Sequence, residues 1–453
     1  MSRMNVVFIF TDQQNRDALG CMGNPNLETP NLDRLAEKGV LFRRCYSNHP
    51  VCGPYRGALM TGQYTSRCGV TRNRSALPAG TTTFADAFNA AGYQTSWVGK
   101  WHLGGNGNCP IPEELRGGFQ RFKGYQCYNG FYKDVCFYDE QNREHRYDYH
   151  RTEVTTDLAL SELDTLTADS AGRPFMLMIS YQAPHYPVQP APEYEAMYKD
   201  RKIVRRPNCQ EVDPFTPTVN PRSPSPHELD PDFQRYGNDL DAYIRLYNAM
   251  CTQIDANVGR LLRKLESLGV ADNTMIVFTS DHGDMQGSHG LNNKHVPYEE
   301  SVGIPLIIHV PKLPGCRVSD CLVSGIDMMP TCLELAGIEP VDTVDGQSIA
   351  PILRGQTDTT RNTVFSECGW RMIITEEWKL AARHKDGVWT PFLMTHIAED
   401  PYEQNNRVDN PSDAAIQESL LTRLQKWHQD VCSGAKNDSG VSSHDNHKEK
   451  LYE

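Results

Sequence analysis

Five short, continuous runs of β-branched and apolar residues recur along the chain: Asn5–Thr11 (NVVFIFT), Thr95–Gly99 (TSWVG), Phe175–Tyr181 (FMLMISY), Met275–Ser280 (MIVFTS) and Pro305–Val310 (PLIIHV). A strand with one face in water alternates apolar and polar residues, whereas a strand covered on both faces has no need to. The runs therefore predict an α/β fold built on a large, mostly parallel sheet sandwiched by helices. The clearest helix spans Asp239–Leu268, where Tyr243, Tyr247, Met250, Ile254, Val258, Leu261, Leu265 and Leu268 keep three-and-four spacing. Gly269 follows as a stop.

After about Leu353 the pattern changes to short alternating segments, Arg371–Thr375 and Trp378–Ala382, followed by a helical stretch near Ala414–Val431. This predicts a smaller C-terminal antiparallel sheet plus helix. The chain then divides into residues 1–353 and 354–453, the second ending in a polar tail from Ser433. Residues 199–232, rich in Pro and charge, predict a long irregular excursion.

Charge and composition narrow the function. The 453 residues carry 45 Lys+Arg against 57 Asp+Glu, a net charge of −12. Such a chain has no broad basic footprint for nucleic acid. Hydrophobic residues make up 39 %, enough for a full core, yet no apolar run approaches the roughly 20 residues a membrane helix needs. The apolar stretch before Thr11 is five residues long, Val6–Phe10, shorter than the 7 to 15 or so of a signal peptide. As written, the sequence reads as cytoplasmic, with a periplasmic or secreted location if a leader was removed. The 14 cysteines show no CxxC pair and read as reduced core thiols.

In an open parallel sheet, ligands collect at the carboxyl ends of the strands. Four of the runs end in chemically useful residues: Asp12-Gln13, Lys100-Trp101-His102, Gln182-Ala183-Pro184-His185 and Asp281-His282-Gly283-Asp284. The fifth ends in Pro311-Lys312, without obvious chemistry. One such residue is most often a solvated loop charge, but four together favour a shared site. Asp12, Gln13, Asp281 and His282 offer oxygen and imidazole donors suited to one divalent cation. The alternative is that Asp281 caps a turn and Gln13 bonds to backbone.

The segment Val51–Gly62 (VCGPYRGALMTG) contains C-x-P-x-R followed by x-A-x-x-T-G. It resembles the signature of the formylglycine-dependent sulfatases, within the alkaline-phosphatase-like superfamily. Further matches are Thr11-Asp12-Gln13, Thr29–Phe42 (TPNLDRLAEKGVLF), Gly99–Gly104 (GKWHLG), Ser280–Asp284 (SDHGD) with Lys294 downstream, and Glu399–Asn406 (EDPYEQNN). The resemblance covers roughly residues 4 to 405.

It implies that a maturase oxidises Cys52 to formylglycine, whose hydrate carries two geminal hydroxyls. One attacks sulfur and the other lets the sulfated intermediate collapse. Pro54 suits the first turn of a helix beginning just after Cys52, whose N-terminus favours an anion. By the same resemblance Asp12, Gln13, Asp281 and His282 are metal ligands, and Arg56 steadies the hydrate. Lys100 and Lys294 hold the sulfate, His102 partners the nucleophile's hydroxyls, and His185 protonates the leaving alcohol. His289 and His295 are read as neighbours of Lys294. Gln13 and His282 stand where many members have Asp and Asn, so calcium, the family default, has manganese as its alternative. Tyr55 replaces a commoner small residue.

Phe119–Arg151 is rich in aromatics, with Arg, Lys and His interleaved. It suits either a pocket wall for a sugar or aryl ring, or an excursion packed by its own aromatics. The reading favours a carbohydrate sulfate ester, a sulfated small molecule or glycan, as substrate. The alternatives are a phosphonate monoester or phosphodiester hydrolase on the same scaffold, or a binding protein with Cys52 unmodified.

Overall fold

A computed structural model describes residues 3–105, 107, 110–127, 130–210 and 239–433. Most of the predicted Pro-rich excursion, and the tail after residue 433, lie outside the described residues. The strands in chain order are β1 Asn5–Asp12, β2 Val40–Tyr46, β3 Gln94–Lys100, β4 Arg121–Tyr125, β5 Val135–Tyr138, β6 Glu144–Tyr147, β7 Phe175–Pro184, β8 Thr274–Ser280, β9 Gly303–His309, β10 Arg317–Ser319 and β11 Val323–Ser324. They form one eleven-stranded sheet in the order β10-β2-β9-β8-β1-β7-β3-β4-β5-β6, with β11 also on β2. The central strands β8, β1, β7, β3 and β4 are mutually parallel.

Every residue of β1, β3, β7 and β8 is buried, which is why β1, β7 and β8 carry the unbroken apolar runs VVFIF, FMLMI and MIVF, while β3 buries Gln94, Thr95 and Ser96 beside its apolar residues. Within β1 the side chains still alternate. Val6, Phe8 and Phe10 enter one core, whereas Val7 and Ile9 enter the other. The principal helices are α1 Pro30–Lys38, α2 Cys52–Thr61, α3 Phe84–Ala90, α4 Arg151–Thr167, α5 Leu240–Ser267, α6 Met328–Leu335 and α7 Ala414–Ser433. Residues of α2, α3 and α6 cover the Phe8 face, and those of α1, α4 and α5 cover the Ile9 face. The long helix starts at an Asp239 cap, whose side chain accepts from the Ala242 N–H, and ends just before Gly269 at φ +69°.

Two expectations change. The Pro305–Val310 run looks like the other strands, but β9 is antiparallel to both β8 and β2. Its carboxyl end, and Pro311-Lys312 with it, therefore lies at the edge opposite the other four. The aromatic segment is not simply irregular. Part of it continues the sheet as β4, then turns into the antiparallel pair β5 and β6. Tyr125, Val135 and Phe137 pack with Val154 of α4, and the Arg151 guanidinium lies 4.4 Å from the Tyr125 ring centroid.

The C-terminal strands β12 Val364–Glu367, β13 Arg371–Ile374, β14 Trp378–Lys385 and β15 Val388–His396 form a separate antiparallel sheet. Ile373, Leu380, Ala382 and Met394 meet Leu420, Leu424, Trp427 and Val431 of α7, together with Ala58 of α2. The opposite face, with Met372, Ile374, Ala381 and Leu393, packs on Tyr46, Val302 and Leu322. This sheet is thus buried against the helix that begins at Cys52. Each of the thirteen described cysteines is a free thiol. Among the described residues, no helix is long and apolar enough to cross a membrane.

Candidate active site

Because β8, β1, β7 and β3 are neighbours and parallel, their carboxyl ends deliver Asp281-His282, Asp12-Gln13, His185 and Lys100 to one crevice. The backbone is fitted to this. Gly99, at φ +111°, lies so close to β7 that a Cβ there would sit 2.0 Å from the Ser180 carbonyl oxygen, so only glycine admits Lys100 at this point. Helix α2 approaches from the Phe8 face with all ten residues buried, and places Cys52 in its first turn. Its Gly57 meets Val70 where a Cβ would stand 2.6 Å from the valine side chain.

Asp12 is the hub. Its carboxylate receives Lys100 Nζ at 2.7 Å and Arg56 Nη2 at 3.2 Å, and lies 3.4 Å from Cys52 Sγ. His282 Nε2 and His185 Nε2 stand 3.7 Å and 4.0 Å from it. Burial opposes ionisation of Asp12, but Lys100, His185, Arg56 and His282 together hold its carboxyl well below the usual range. Arg56 also reaches Asp281 at 3.4 Å, the Lys100 carbonyl at 2.6 Å and Ser180 Oγ at 2.7 Å. It is a fixed, fully buried cation at the floor.

Cys52 Sγ lies 3.2 Å from His282 Nε2 and 3.7 Å from Lys294 Nζ. Burial and the Asp12 charge push its thiol up to about 12, so the residue is a neutral thiol. Lys294 comes from the connection between β8 and β9. Its Nζ donates to Gln13 Oε1 at 2.6 Å and to His185 Nε2 at 2.9 Å. The other His185 nitrogen faces the Tyr186 carbonyl, which fixes Nδ1 as the protonated one. Burial and Lys294 keep His185 well below its ordinary pKa. His102, at φ +63°, is buried and its Nδ1 has no partner among the described residues. Its carbonyl passes 3.5 Å from where a Cβ on Gly53 would stand, beside the start of α2.

One ligand atom from each of Asp12, Asp281, His282 and Cys52 falls within 4.8 Å of the others. Hard carboxylate oxygens beside a neutral imidazole suit a divalent cation. Burial and Lys294 hold His282 well below its usual pKa, so its nitrogen is available as a donor. Burial and Asp12 push Asp281 up to about 7. Two carboxylates this close resist sharing two negative charges, and a cation between them satisfies both, so the donor set fits a metal. Gln13 donates its backbone N–H to Asp281 at 3.0 Å, while its side-chain amide is turned toward Lys294 and Asp284.

A pH dependence follows. Above about pH 7 Asp281 is ionised; below it, a proton competes with the cation. The apparent affinity for a divalent cation is expected to weaken about tenfold per pH unit below 7 and to level off above it. Calorimetric titration between about pH 5 and pH 8 checks this, and a pH-independent affinity would contradict it.

The sequence missed a supporting layer. Asp284 accepts from Gln13 Nε2 at 2.6 Å and from the Tyr243 hydroxyl at 2.8 Å. The Tyr247 hydroxyl donates to the Gln13 carbonyl at 2.7 Å and accepts from the Asn15 N–H at 2.8 Å. The two tyrosines, four apart on α5, thus brace the turn after β1, where Gln13 sits at φ +68°. Their helical spacing was visible, but their hydroxyl partners were not.

A family model described as Sulfatase matches residues 4–338. The chain belongs to the sulfatase family. A second model, described as N-sulphoglucosamine sulphohydrolase, C-terminal, matches residues 287–430 of this sulfatase. It is 30 % identical to the ulvan-active sulfatase of Formosa agariphila, over 94 % of this chain and 81 % of that one. Identity with the N-acetylglucosamine-6-O-sulfatase of Bacteroides thetaiotaomicron is 28 %, over 94 % and 86 %. A solved structure of an enzyme in complex with its substrate D-glucosamine-2-N,6-O-disulfate superposes with a TM-score of 0.82 at 26 % identity, covering 96 % of this sulfatase and 99 % of that chain. The reaction class is hydrolysis of a sulfate ester.

Proposed function

We propose that this sulfatase cleaves a sulfate monoester of a carbohydrate, using Cys52 as formylglycine and one divalent cation held by Asp12, Gln13, Asp281 and His282. The observation that carries this reading is the position of Cys52: in the first turn of a buried helix, as a neutral thiol, 3.2 to 3.7 Å from His282, Asp12 and Lys294. A thiol held up at about 12 is a poor nucleophile where it stands. The carbohydrate is supported by the relatives, two of which are named for a glycan or an amino sugar and one of which binds a glucosamine disulfate.

Formylglycine, as its hydrate, supplies a hydroxyl to attack sulfur and a second to release sulfate. The cation, calcium first and manganese as the alternative, supplies Lewis-acid polarisation of a sulfate oxygen. The chain's own groups do the rest. Lys100 and Lys294 present fixed positive charge to the sulfate oxygens, where charge must be offset as the S–O bond breaks. Arg56, locked by Asp12, Asp281 and Ser180, steadies the group at position 52. The orphan Nδ1 of His102 is a polar atom available to that group's hydroxyls. A bound sulfate ester adds negative charge beside His185 and favours its protonated form, from which Nε2 passes a proton to the departing oxygen.

The leaving group tests His185. His185→Ala is expected to slow a sugar sulfate, whose alkoxide departs badly, about a hundredfold, while a nitrophenyl sulfate is slowed far less. Lys294→Ala is expected to slow both by similar factors, because the sulfate oxygens need the cation whichever alcohol leaves. If Lys294→Ala showed the steeper leaving-group dependence, the two roles would exchange. For the reaction as a whole, kcat/KM on 6-O-sulfated amino sugars and on aryl sulfates is compared with that on an aryl phosphonate monoester. Faster phosphonate cleavage would overturn the proposal.

A further inference from the structure

The connection that carries Lys294 is held from outside its own sheet. Lys294 lies between two residues with left-handed backbone, Asn293 at φ +62° and His295 at φ +80°. Neither is glycine; Asn and His enter this region more readily than most residues, and hydrogen bonds on both sides hold the turn there. On the side of β8, the Met285 N–H donates to the Asn293 carbonyl at 2.8 Å. On the other side, three backbone groups at alternate positions are bonded to the C-terminal sheet and the loop that follows it. Trp370 Nε1 donates to the His295 carbonyl at 2.9 Å. Lys379 Nζ donates to the Pro297 carbonyl at 3.1 Å. The Glu299 N–H donates to Glu403 Oε2 at 2.7 Å.

These three partners are themselves fixed. Lys379 is fully buried between Glu299 at 2.6 Å and Glu403 at 2.8 Å, and Glu403 also accepts from Thr395 Oγ1 at 3.1 Å. Trp370 is 7 % exposed and sits in the tight turn between β12 and β13, where the Cys368 N–H donates to the Trp370 carbonyl at 2.9 Å. Trp370 belongs to the same buried apolar cluster as Met372 and Val302, against which Tyr298 packs. The Trp370 bond is the nearest of the three to Lys294, one residue away.

We propose that Trp370 is a positioning residue for the sulfate-binding lysine: its indole N–H fixes the left-handed turn at His295 and thereby aims Lys294 Nζ into the crevice. The C-terminal sheet then takes part in sulfate recognition without touching the sulfate. The inference rests on the reading of Lys294 as a sulfate cation given above, and the test separates the two. A merely structural tryptophan would act on every property of the fold alike; a positioning one acts through Lys294 alone.

The test is a double-mutant cycle on the metal-loaded enzyme, with inorganic sulfate as the probe, read by calorimetry and as competitive inhibition of aryl sulfate hydrolysis. Trp370→Phe keeps an aromatic ring and removes the donor. It is expected to weaken sulfate binding about three- to tenfold, the worth of one hydrogen bond to a well-fixed partner. Lys294→Ala is expected to weaken it more, and Trp370→Phe added to Lys294→Ala is expected to change it no further. Trp370→Tyr, which fills more of the indole volume but lacks Nε1, is measured alongside in case the phenylalanine variant does not accumulate as folded protein. The same non-additivity is expected of it. Equal losses from the Trp370 change with and without Lys294, or no loss in either background, would overturn the positioning role while leaving Lys294 in place. Unchanged sulfate binding in Lys294→Ala would overturn the reading of Lys294 and this inference with it.

Discussion

Cys52→Ser is expected to fold, bind its metal and sulfate, and lose steady-state turnover by roughly 10⁴-fold or more. The side chain is 2 % exposed, and serine is close to it in size, so the packing around α2 should change little. A serine hydroxyl has only one oxygen: once sulfated, it has no second hydroxyl to drive sulfate out, and the enzyme stalls after a single event. Cys52→Ala removes the nucleophile as well and is expected to show neither burst nor turnover. An unmodified Cys52 does not substitute for either. Burial and the Asp12 charge hold its thiol up at about 12, so at neutral pH it stays protonated. Burst and steady-state phases on an aryl sulfate distinguish these cases. Repeated turnover by a verified Cys52→Ser protein would contradict the mechanism.

Asp281→Ala is expected to abolish metal retention after dialysis and to lower activity by about 10³-fold or more. The loss goes beyond one ligand. Asp281 also accepts from the Gln13 N–H at 3.0 Å and lies 3.4 Å from both Arg56 and His282, so its removal leaves Arg56 with Asp12 as its one remaining carboxylate among the described residues. The effect on stability carries a diagnostic sign. In the metal-free protein Asp281 has a raised pKa, so the folded state binds its proton more tightly than the unfolded chain. Its ionisation therefore destabilises the metal-free fold as pH rises from the unfolded carboxylate range toward about 7. Asp281→Asn is accordingly expected to raise the melting temperature of the metal-free protein at pH 8 and to lower that of the metal-loaded one. Melting curves with and without a divalent cation check both signs. A fall in both states would show that Asp281 is held by the protein alone.

The sequence placed chemistry at strand ends, and the reason lies in the sheet. Asp12, Lys100, His185 and Asp281 each lie at or just past the carboxyl end of a fully buried strand, and parallel neighbours must deliver such residues to a common edge. The direction of β9 was not legible in this way. Antiparallel and parallel strands buried on both faces have the same apolar composition, and Pro305–Val310 carries no mark of its orientation. The aromatic stretch after Phe119 was ambiguous for a related reason: aromatics suit a ligand wall and a small core equally well, and Tyr125 and Phe137 went to the core. Long-range hydrogen bonds were the least visible. Tyr243 and Tyr247 occupy the same helical face as Met250 and Ile254, yet their hydroxyls reach Asp284 and Gln13 more than thirty residues away. The bond between Trp370 and His295 likewise depends on a β-turn meeting a loop from another sheet.

The proposed mechanism turns on the chemical state of residue 52. The most direct measurement is the mass of the proteolytic peptide spanning Cys52, from protein produced with an active formylglycine-generating maturase and shown to turn over an aryl sulfate. Conversion of the thiol-bearing carbon to an aldehyde lowers the peptide mass by about 18 Da, and an aldehyde-specific hydrazide should label that peptide and no other. The expected result is the lighter, hydrazide-reactive peptide, with specific activity rising in proportion to its fraction. A fully active preparation in which Cys52 is wholly an alkylatable thiol would contradict it.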